Sequence, residues 1–252
     1  MTIKNIDKFS GKAQHYNQGR PSYAPELIDD LYKNGYLTPH SIVADIGAGT
    51  GKFTELILQK GNTVFAIEPN NDMRAVLTER FRYFDTVIIL NGTDEATSLA
   101  DHSVDAITVA QAFHWFDIER FKQECTRILK PNGLVLLIWN MRDEASPVNQ
   151  ETYRIFQKYC RNFTGFSGGI KQNDEQISAF FDGDFFVKSF SNHLYYSKDD
   201  FIARSLSASY SLKQGDDLFE DYLQELTNLY NRFVVNGVLE VPNKSVAYIG
   251  KL

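Results

Sequence analysis

Val43-Ala44-Asp45-Ile46-Gly47-Ala48-Gly49-Thr50-Gly51 is the stretch that decides how this chain folds. A β-branched run, Ile42 to Ile46, passes into a turn with glycine at every second position. Phe53, Leu56 and Ile57 then recur at helical spacing. Strand, glycine turn and helix, in that order, open a nucleotide-binding β-α-β unit. Glu68 stands at the end of the next apolar run, Thr63 to Ile67. An acid there can accept hydrogen bonds from both hydroxyls of a ribose, so the two features together point to an adenosine-containing cofactor.

The spacing of the glycines narrows the choice. Glycine has no Cβ, so the backbone can turn sharply and approach a ligand closely. A dinucleotide fingerprint requires Gly-x-Gly-x-x-Gly; counted from Gly47 and Gly49, its third glycine falls on Lys52. A phosphate-binding loop requires Gly-x-x-x-x-Gly-Lys-Ser/Thr. Gly51-Lys52 fits its end, but Ile46 replaces its first glycine and Phe53 its hydroxyl residue. What remains is Asp-x-Gly-x-Gly-x-Gly, from Asp45 to Gly51.

This pattern resembles motif I of the class I S-adenosylmethionine-dependent methyltransferases. The resemblance implies that Asp45, Gly47, Ala48, Gly49, Thr50 and Gly51 form the turn beneath the methionine part of S-adenosyl-L-methionine, and that Glu68 holds its ribose. Glu68-Pro69-Asn70-Asn71-Asp72-Met73 is similar to the family's Glu-Pro-x-x-x-Met segment, which places Pro69 and Met73 near the adenine. After a third strand, Thr86 to Leu90, Gly92-Thr93-Asp94-Glu95 stands where the family often has Gly-Asp-Ala-Glu. Thr93, Asp94 and Glu95 are therefore candidates for the adenine edge, Asp94 first and Glu95 second.

A fourth strand, Val104 to Ala110, leads into Gln111-Ala112-Phe113-His114-Trp115-Phe116-Asp117. This resembles a segment of a subgroup of small-molecule methyltransferases that includes enzymes acting on trans-aconitate-like acids. It implies Gln111 at the cofactor, and His114 and Trp115 at the methyl acceptor. A helix follows, with Phe121, Cys125 and Ile128 inward, and Lys130-Pro131-Asn132-Gly133 ends it before a fifth strand, Leu134 to Trp139. Trp139 is a further acceptor candidate. Near the start of the chain, Phe9-x-x-x-Ala13-x-x-Tyr16-x-x-x-Arg20-Pro21-x-Tyr23 is similar to the family's N-terminal cap. There Tyr16 and Arg20 would come down over the cofactor, with Tyr16 and Tyr23 also facing the acceptor; an arginine can grip a carboxylate with two parallel hydrogen bonds.

The resemblance implies an α/β fold: a doubly wound, seven-stranded, mostly parallel sheet with its last strand antiparallel, and helical lid insertions. One domain over residues 1–252 is expected, with a cap in 1–38 and the cofactor-binding core in 39–140. Lid segments are expected in 141–182 and 197–243, and the closing strands in 183–196 and 244–252. Phe185 to Tyr196 reads as one long strand. The stripe Leu218, Phe219, Tyr222, Leu223, Leu226, Leu229, Tyr230 and Phe233 reads as a helix packed on a core.

Composition bounds the function. In 252 residues the net charge is −6, and no strong Lys/Arg cluster interrupts it. A nucleic-acid enzyme is expected to carry a basic patch, so nucleic acid is not the expected partner. The two cysteines, Cys125 and Cys160, lie in helical patterns, and no Cys/His spacing suits a metal. No apolar run approaches the ~20 residues needed to span a bilayer, and no secretory signal is evident. The expected setting is cytoplasmic, the expected partner a small-molecule acceptor, and the expected state a monomer or homodimer. His114 is the candidate general base for a hydroxyl or amine acceptor; a carboxylate needs none, being ionised at neutral pH. Two alternatives stay open at this point: an NAD(P)-dependent oxidoreductase, against which Lys52 speaks, and a non-catalytic S-adenosylmethionine-binding module.

Overall fold

The computed structural model describes residues 21–166, 175–208 and 210–252. These form two compact units. One takes residues 21–139, 175–190 and 246–252, the other 140–166, 191–208 and 210–245.

The first unit is built on a seven-stranded sheet. Its strands are β1 (Ile42–Ile46), β2 (Thr63–Ile67), β3 (Val87–Leu90), β4 (Val104–Ala110), β5 (Leu129–Arg142), β6 (Phe185–Ser191) and β9 (Asn243–Gly250), in the order β3-β2-β1-β4-β5-β9-β6. β3, β2, β1, β4 and β5 run parallel, Val43 lying opposite both Val64 and Ala106. The last strand in the chain is antiparallel. β1, β2 and β4 are buried along most of their length, as strands covered on both faces should be. That is why their apolar runs are continuous and their ends legible.

Helices α1 (Pro25–Lys33), α2 (Lys52–Leu58), α3 (Asn71–Phe81) and α4 (Ile118–Ile128) belong to this unit. Pro25 begins α1, where its fixed φ and missing N–H cost nothing. α1 and α2 bury Leu27, Ile28, Leu31, Phe53 and Ile57 in one core with Val43, Val64 and Ile138. A second, aromatic cluster joins Phe113, Phe121, Phe180 and Trp139, with centroids 5.2–6.1 Å apart. Phe180 comes from α6 (Glu175–Phe180), which therefore belongs to this unit and not with the expected lid over 141–182.

The fifth strand begins at Leu129, earlier than the expected Leu134. Val104 pairs with Leu129 and Ala106 with Leu134, so Lys130-Pro131-Asn132-Gly133 are looped out as a bulge within the strand.

The second unit holds α5 (Pro147–Tyr159), α7 (Lys198–Leu206), α8 (Phe219–Phe233), and an antiparallel pair of β7 (Leu194–Tyr196) with β8 (Leu239–Val241). Its core joins Phe156, Tyr159, Phe201, Tyr222, Leu226, Leu229 and Tyr230, so the middle of the expected stripe on α8 is core, while Leu218 is exposed ahead of the helix. The expected single strand from Phe185 to Tyr196 is two. At Asn192 the N–H donates to Asn243 O (2.8 Å) and the side chain to Asn140 Oδ1 (2.9 Å), and beyond it the chain leaves the large sheet to pair with β8. Among the described residues, no helix is long and apolar enough to cross a membrane.

Candidate functional site

The site lies at the carboxyl ends of β1, β2 and β4, where parallel sheets bind their ligands. The glycine turn is stitched to β2: Gly47 and Ala48 N–H both donate to Ile67 O, at 2.9 and 3.0 Å. Gly49 N–H donates to Glu68 Oε2 at 2.8 Å, and Asn70 N–H to Glu68 Oε1 at 2.8 Å. The acid and the turn, nineteen residues apart in sequence, thus form one cradle. Each carboxylate oxygen carries two acceptor sites, so Glu68 keeps capacity for ribose hydroxyls. Its burial raises its pKa, against the lowering effect of those two hydrogen bonds and of Arg74.

The three glycines have different causes. All have positive φ, at +74°, +58° and +83° for Gly47, Gly49 and Gly51. A Cβ on Gly47 would stand 2.7 Å from that of Ala112, and one on Gly51 2.4 Å from the Phe81 ring and 2.6 Å from Leu77. Among the described residues, a Cβ on Gly49 would meet nothing within 4 Å. Packing therefore accounts for glycine at 47 and 51, while Gly49 borders open space beside Glu68. That opening suits a ligand pressed against the backbone, and it is the feature by which these residues fit S-adenosyl-L-methionine.

Asp45 serves the turn from below. It is buried, and it accepts hydrogen bonds from Thr54 Oγ1 (2.5 Å) and Thr108 Oγ1 (2.9 Å), tying β1 to α2 and β4. Burial lifts its pKa to about 6, although the threonine hydroxyls oppose the rise. Both oxygens are engaged inside the fold, so the structure shows Asp45 supporting the turn from beneath. Thr50 is buried at the end of the turn. Pro69 is half-buried, and its carbonyl and that of Glu68 accept from Arg74 Nη1. Met73 is buried in the first turn of α3, which Asn70 caps by accepting from Met73 N–H at 3.0 Å; it is core, and little of it is offered to an adenine.

Of the third-loop candidates, Asp94 is buried and accepts from Asp117 N–H at 3.3 Å, joining this loop to the one after β4. Thr93 N–H donates to Ala96 O in a tight turn. Glu95 pairs with the largely exposed Arg120 at 2.6 Å, which lowers its pKa and draws it to the surface.

The loop after β4 lies on the glycine turn. Ala112 and Phe116 are the two residues a Cβ at Gly47 would strike. Between them, Phe113–Trp115 form a single 3-10 turn that carries His114 and Trp115, whose rings are 4.7 Å apart. Gln111 begins the loop with φ +62°, its N–H donating to Ile138 O at 2.8 Å. A non-glycine residue held there costs about 1–3 kcal/mol, a kind of strain that clusters at functional sites. Two expected acceptor contacts are corrected. Trp139 is wholly buried between Phe113 and Tyr248, and Tyr23 is buried edge-on against Phe53 at 5.1 Å. Both support the core. Tyr16 and Arg20 lie outside the described residues.

Sequence reading missed Thr54 and Thr108, which hold Asp45, and Ala112 and Phe116, which pack on Gly47. No single-sequence signal marks them, because each matters only through a partner distant in sequence. Among the described residues, no group of His, Cys, Asp or Glu is arranged to hold a metal ion.

Parallel strands in the order β3-β2-β1-β4-β5, a glycine turn after β1 and an acid after β2 give this core the Rossmann-like methyltransferase fold. Residues 44–137, from β1 into β5, match the family described as "Methyltransferase domain". An uncharacterized methyltransferase of Mycobacterium tuberculosis is 44% identical over 149 residues, 57% of this chain and 58% of that protein. An uncharacterized methyltransferase of Schizosaccharomyces pombe is 32% identical over 169 residues, 67% of this chain and 63% of that one. The chain thus spans less than two thirds of the length of these relatives. Among solved structures, the YcgJ protein of Bacillus subtilis is similar with a TM-score of 0.58 at 17% identity, over 91% of this chain and all of that one. A geranyl diphosphate methyltransferase, solved in complex with SAM, is similar with a TM-score of 0.51 at 16% identity, over 90% of this chain and 83% of that one. At these identities the structural likeness speaks for the fold.

Proposed function

We propose that this protein transfers a methyl group from S-adenosyl-L-methionine to a small-molecule acceptor, a carboxylate or hydroxyl compound, by direct displacement. The observation that carries this reading is the Gly49–Glu68 cradle beside open space. Gly49, Glu68 and Asp94 would hold the nucleoside, while Asp45 and Gln111 fix the loops around it. The bound cofactor supplies a methyl group already activated on a positively charged sulfur. The protein's own part is therefore alignment and exclusion of water, an effect that can reach ~7–11 kcal/mol. This reading assigns the acceptor to His114 and Trp115, on the loop packed against Gly47. With a hydroxyl or amine acceptor, His114 takes the proton; with a carboxylate it has no proton to take. Tyr16 and Arg20 remain candidates for closing over the site.

The net charge of −6 supports a small acceptor rather than nucleic acid. The test is turnover of methyl-labelled cofactor against acids, alcohols and amines, with wild type and His114→Ala. Loss of about 100- to 10,000-fold on a hydroxyl or amine acceptor, with carboxylate turnover spared, is expected. Equal turnover on every acceptor would remove His114 from the mechanism.

A further inference from the structure

One arginine in the first unit ties together the strand ends that carry the two candidate nucleoside contacts. Arg74 lies in the first turn of α3. Its Nη1 donates to Glu68 O at 2.7 Å, to Pro69 O at 3.0 Å and to Asn91 Oδ1 at 3.1 Å, and its Nη2 donates to Asn71 Oδ1 at 2.5 Å. All four oxygens are neutral, whereas Arg80 of the same helix pairs with the Glu55 carboxylate at 2.5 Å. Three segments meet at this guanidinium: the chain leaving β2, the start of α3 and the chain leaving β3. Just before it, Glu68 N–H donates to Leu90 O at 3.1 Å, so β2 and β3 are still paired where the arginine takes over. Just after Asn91 the chain packs back on β2, since a Cβ at Gly92 would stand 3.0 Å from Ile67 Cγ2. Asp94 follows in the same loop.

We propose that Arg74 is a positioning residue for the nucleoside: it fixes the separation between Glu68 and the loop carrying Asp94, so that the ribose hydroxyls and the adenine edge are recognised together. The clip stands on the four hydrogen bonds; its role toward a nucleoside rests on the methyltransferase reading. A guanidinium presents five N–H donors in one rigid plane. Its bonds are therefore coupled in geometry, and moving one acceptor disturbs the others. The Glu68 carboxylate is held by the N–H groups of Gly49 and Asn70; Arg74 holds the main chain from which that carboxylate hangs. The bond to Asn91 carries the same constraint across to the loop after β3. The arginine acts through these residues and makes no contact of its own with the ligand.

The test uses the whole chain and calorimetric titration with S-adenosyl-L-homocysteine, its 2′-deoxy and 3′-deoxy forms, and the form with inosine in place of adenosine. Arg74→Met, which keeps an apolar stem and removes the donors, is the primary variant. Asn91→Ala, at an exposed position, is the second, and thermal unfolding is measured on both. Wild type should lose at least about tenfold in affinity when a ribose hydroxyl is removed. R74M should bind the parent compound at least about tenfold more weakly, yet lose less than about threefold more when the hydroxyl goes, because Glu68 no longer meets it. Such a coupling between side chain and ligand group is what a purely structural role would not produce. N91A should keep the wild-type hydroxyl preference and narrow the preference for adenosine over inosine at least about fivefold; should R74M not fold, N91A decides. The proposal is overturned if R74M weakens all four ligands by one factor, if R74M binds as wild type does, if N91A leaves the base preference unchanged, or if wild type is indifferent to the ribose hydroxyls. Wild type binding none of the four rejects the methyltransferase reading itself; wild-type binding with uniform losses in the variants rejects this proposal and leaves that reading standing.

Discussion

Gly49 and Gly51 sit two residues apart in one turn, yet alanine at each should fail differently. Both have left-handed φ, +58° and +83°, and a single alanine forced there costs about 1–2 kcal/mol. At Gly49 the new methyl group meets none of the described residues within 4 Å, so the backbone alone sets the stability cost. At Gly51 the methyl would stand 2.4 Å from the Phe81 ring and 2.6 Å from Leu77, both buried. Overpacking of this kind adds about 1–3 kcal/mol, for a total of about 2–5 kcal/mol. For a chain of this size each kcal/mol lowers Tm by about 2–4 °C. G49A should therefore melt a few degrees below wild type and G51A substantially lower. Cofactor affinity should move the other way: G49A places its methyl in the space where the ligand approaches, so it should lose at least tenfold, worth about 1.4 kcal/mol. Thermal unfolding and calorimetry on the same preparations measure both. The reasoning is refuted if G49A binds S-adenosyl-L-methionine as tightly as wild type, or if G51A melts no lower than G49A.

Three further outcomes are expected. Asp45, with its folded pKa raised to about 6, takes up a proton more readily when folded; its contribution to stability is fully present below about pH 4 and lost as pH rises through 6. Asp45→Asn should therefore gain in Tm relative to wild type between pH 4 and pH 7, and a difference that does not change with pH contradicts the assignment. Gln111→Gly relieves the left-handed strain and should stabilise the fold by about 1 kcal/mol while slowing turnover, because the loop carrying His114 is no longer pinned; faster turnover would show the strain is not functional. Arg120→Ala breaks an exposed, solvent-screened ion pair and should leave cofactor affinity unchanged, whereas Asp94→Ala, which removes the acceptor for Asp117 N–H, should weaken it; a reversal would move the adenine contact from Asp94 to Glu95.

Much of this site was legible in the sequence because its strands are buried on both faces. The expected ends of β1, β2 and β4 coincide with the observed Ile42–Ile46, Thr63–Ile67 and Val104–Ala110. The glycine spacing and Glu68 could be placed together because the β-α-β crossover fixes how one strand end meets the next. The division at Asn192 was not legible: apolar residues continue on both sides of it, and only the partner strand decides whether the chain stays in the large sheet or pairs with Leu239–Val241. Trp139 and Tyr23 were assigned to the acceptor by residue type and position, but an aromatic at a strand end can serve a core equally well, as Trp139 does against Phe113 and Tyr248.

The central claim is that the turn after β1 and Glu68 together hold an amino-acid nucleoside. Titrating S-adenosyl-L-methionine, its demethylated product and reduced nicotinamide dinucleotide separately into wild type and Glu68→Ala tests it most directly. Saturable one-site binding of the first two to wild type, its loss in the variant, and no heat from the dinucleotide are the predicted results. A clean isotherm from the dinucleotide, with none from either adenosyl ligand, would contradict the claim.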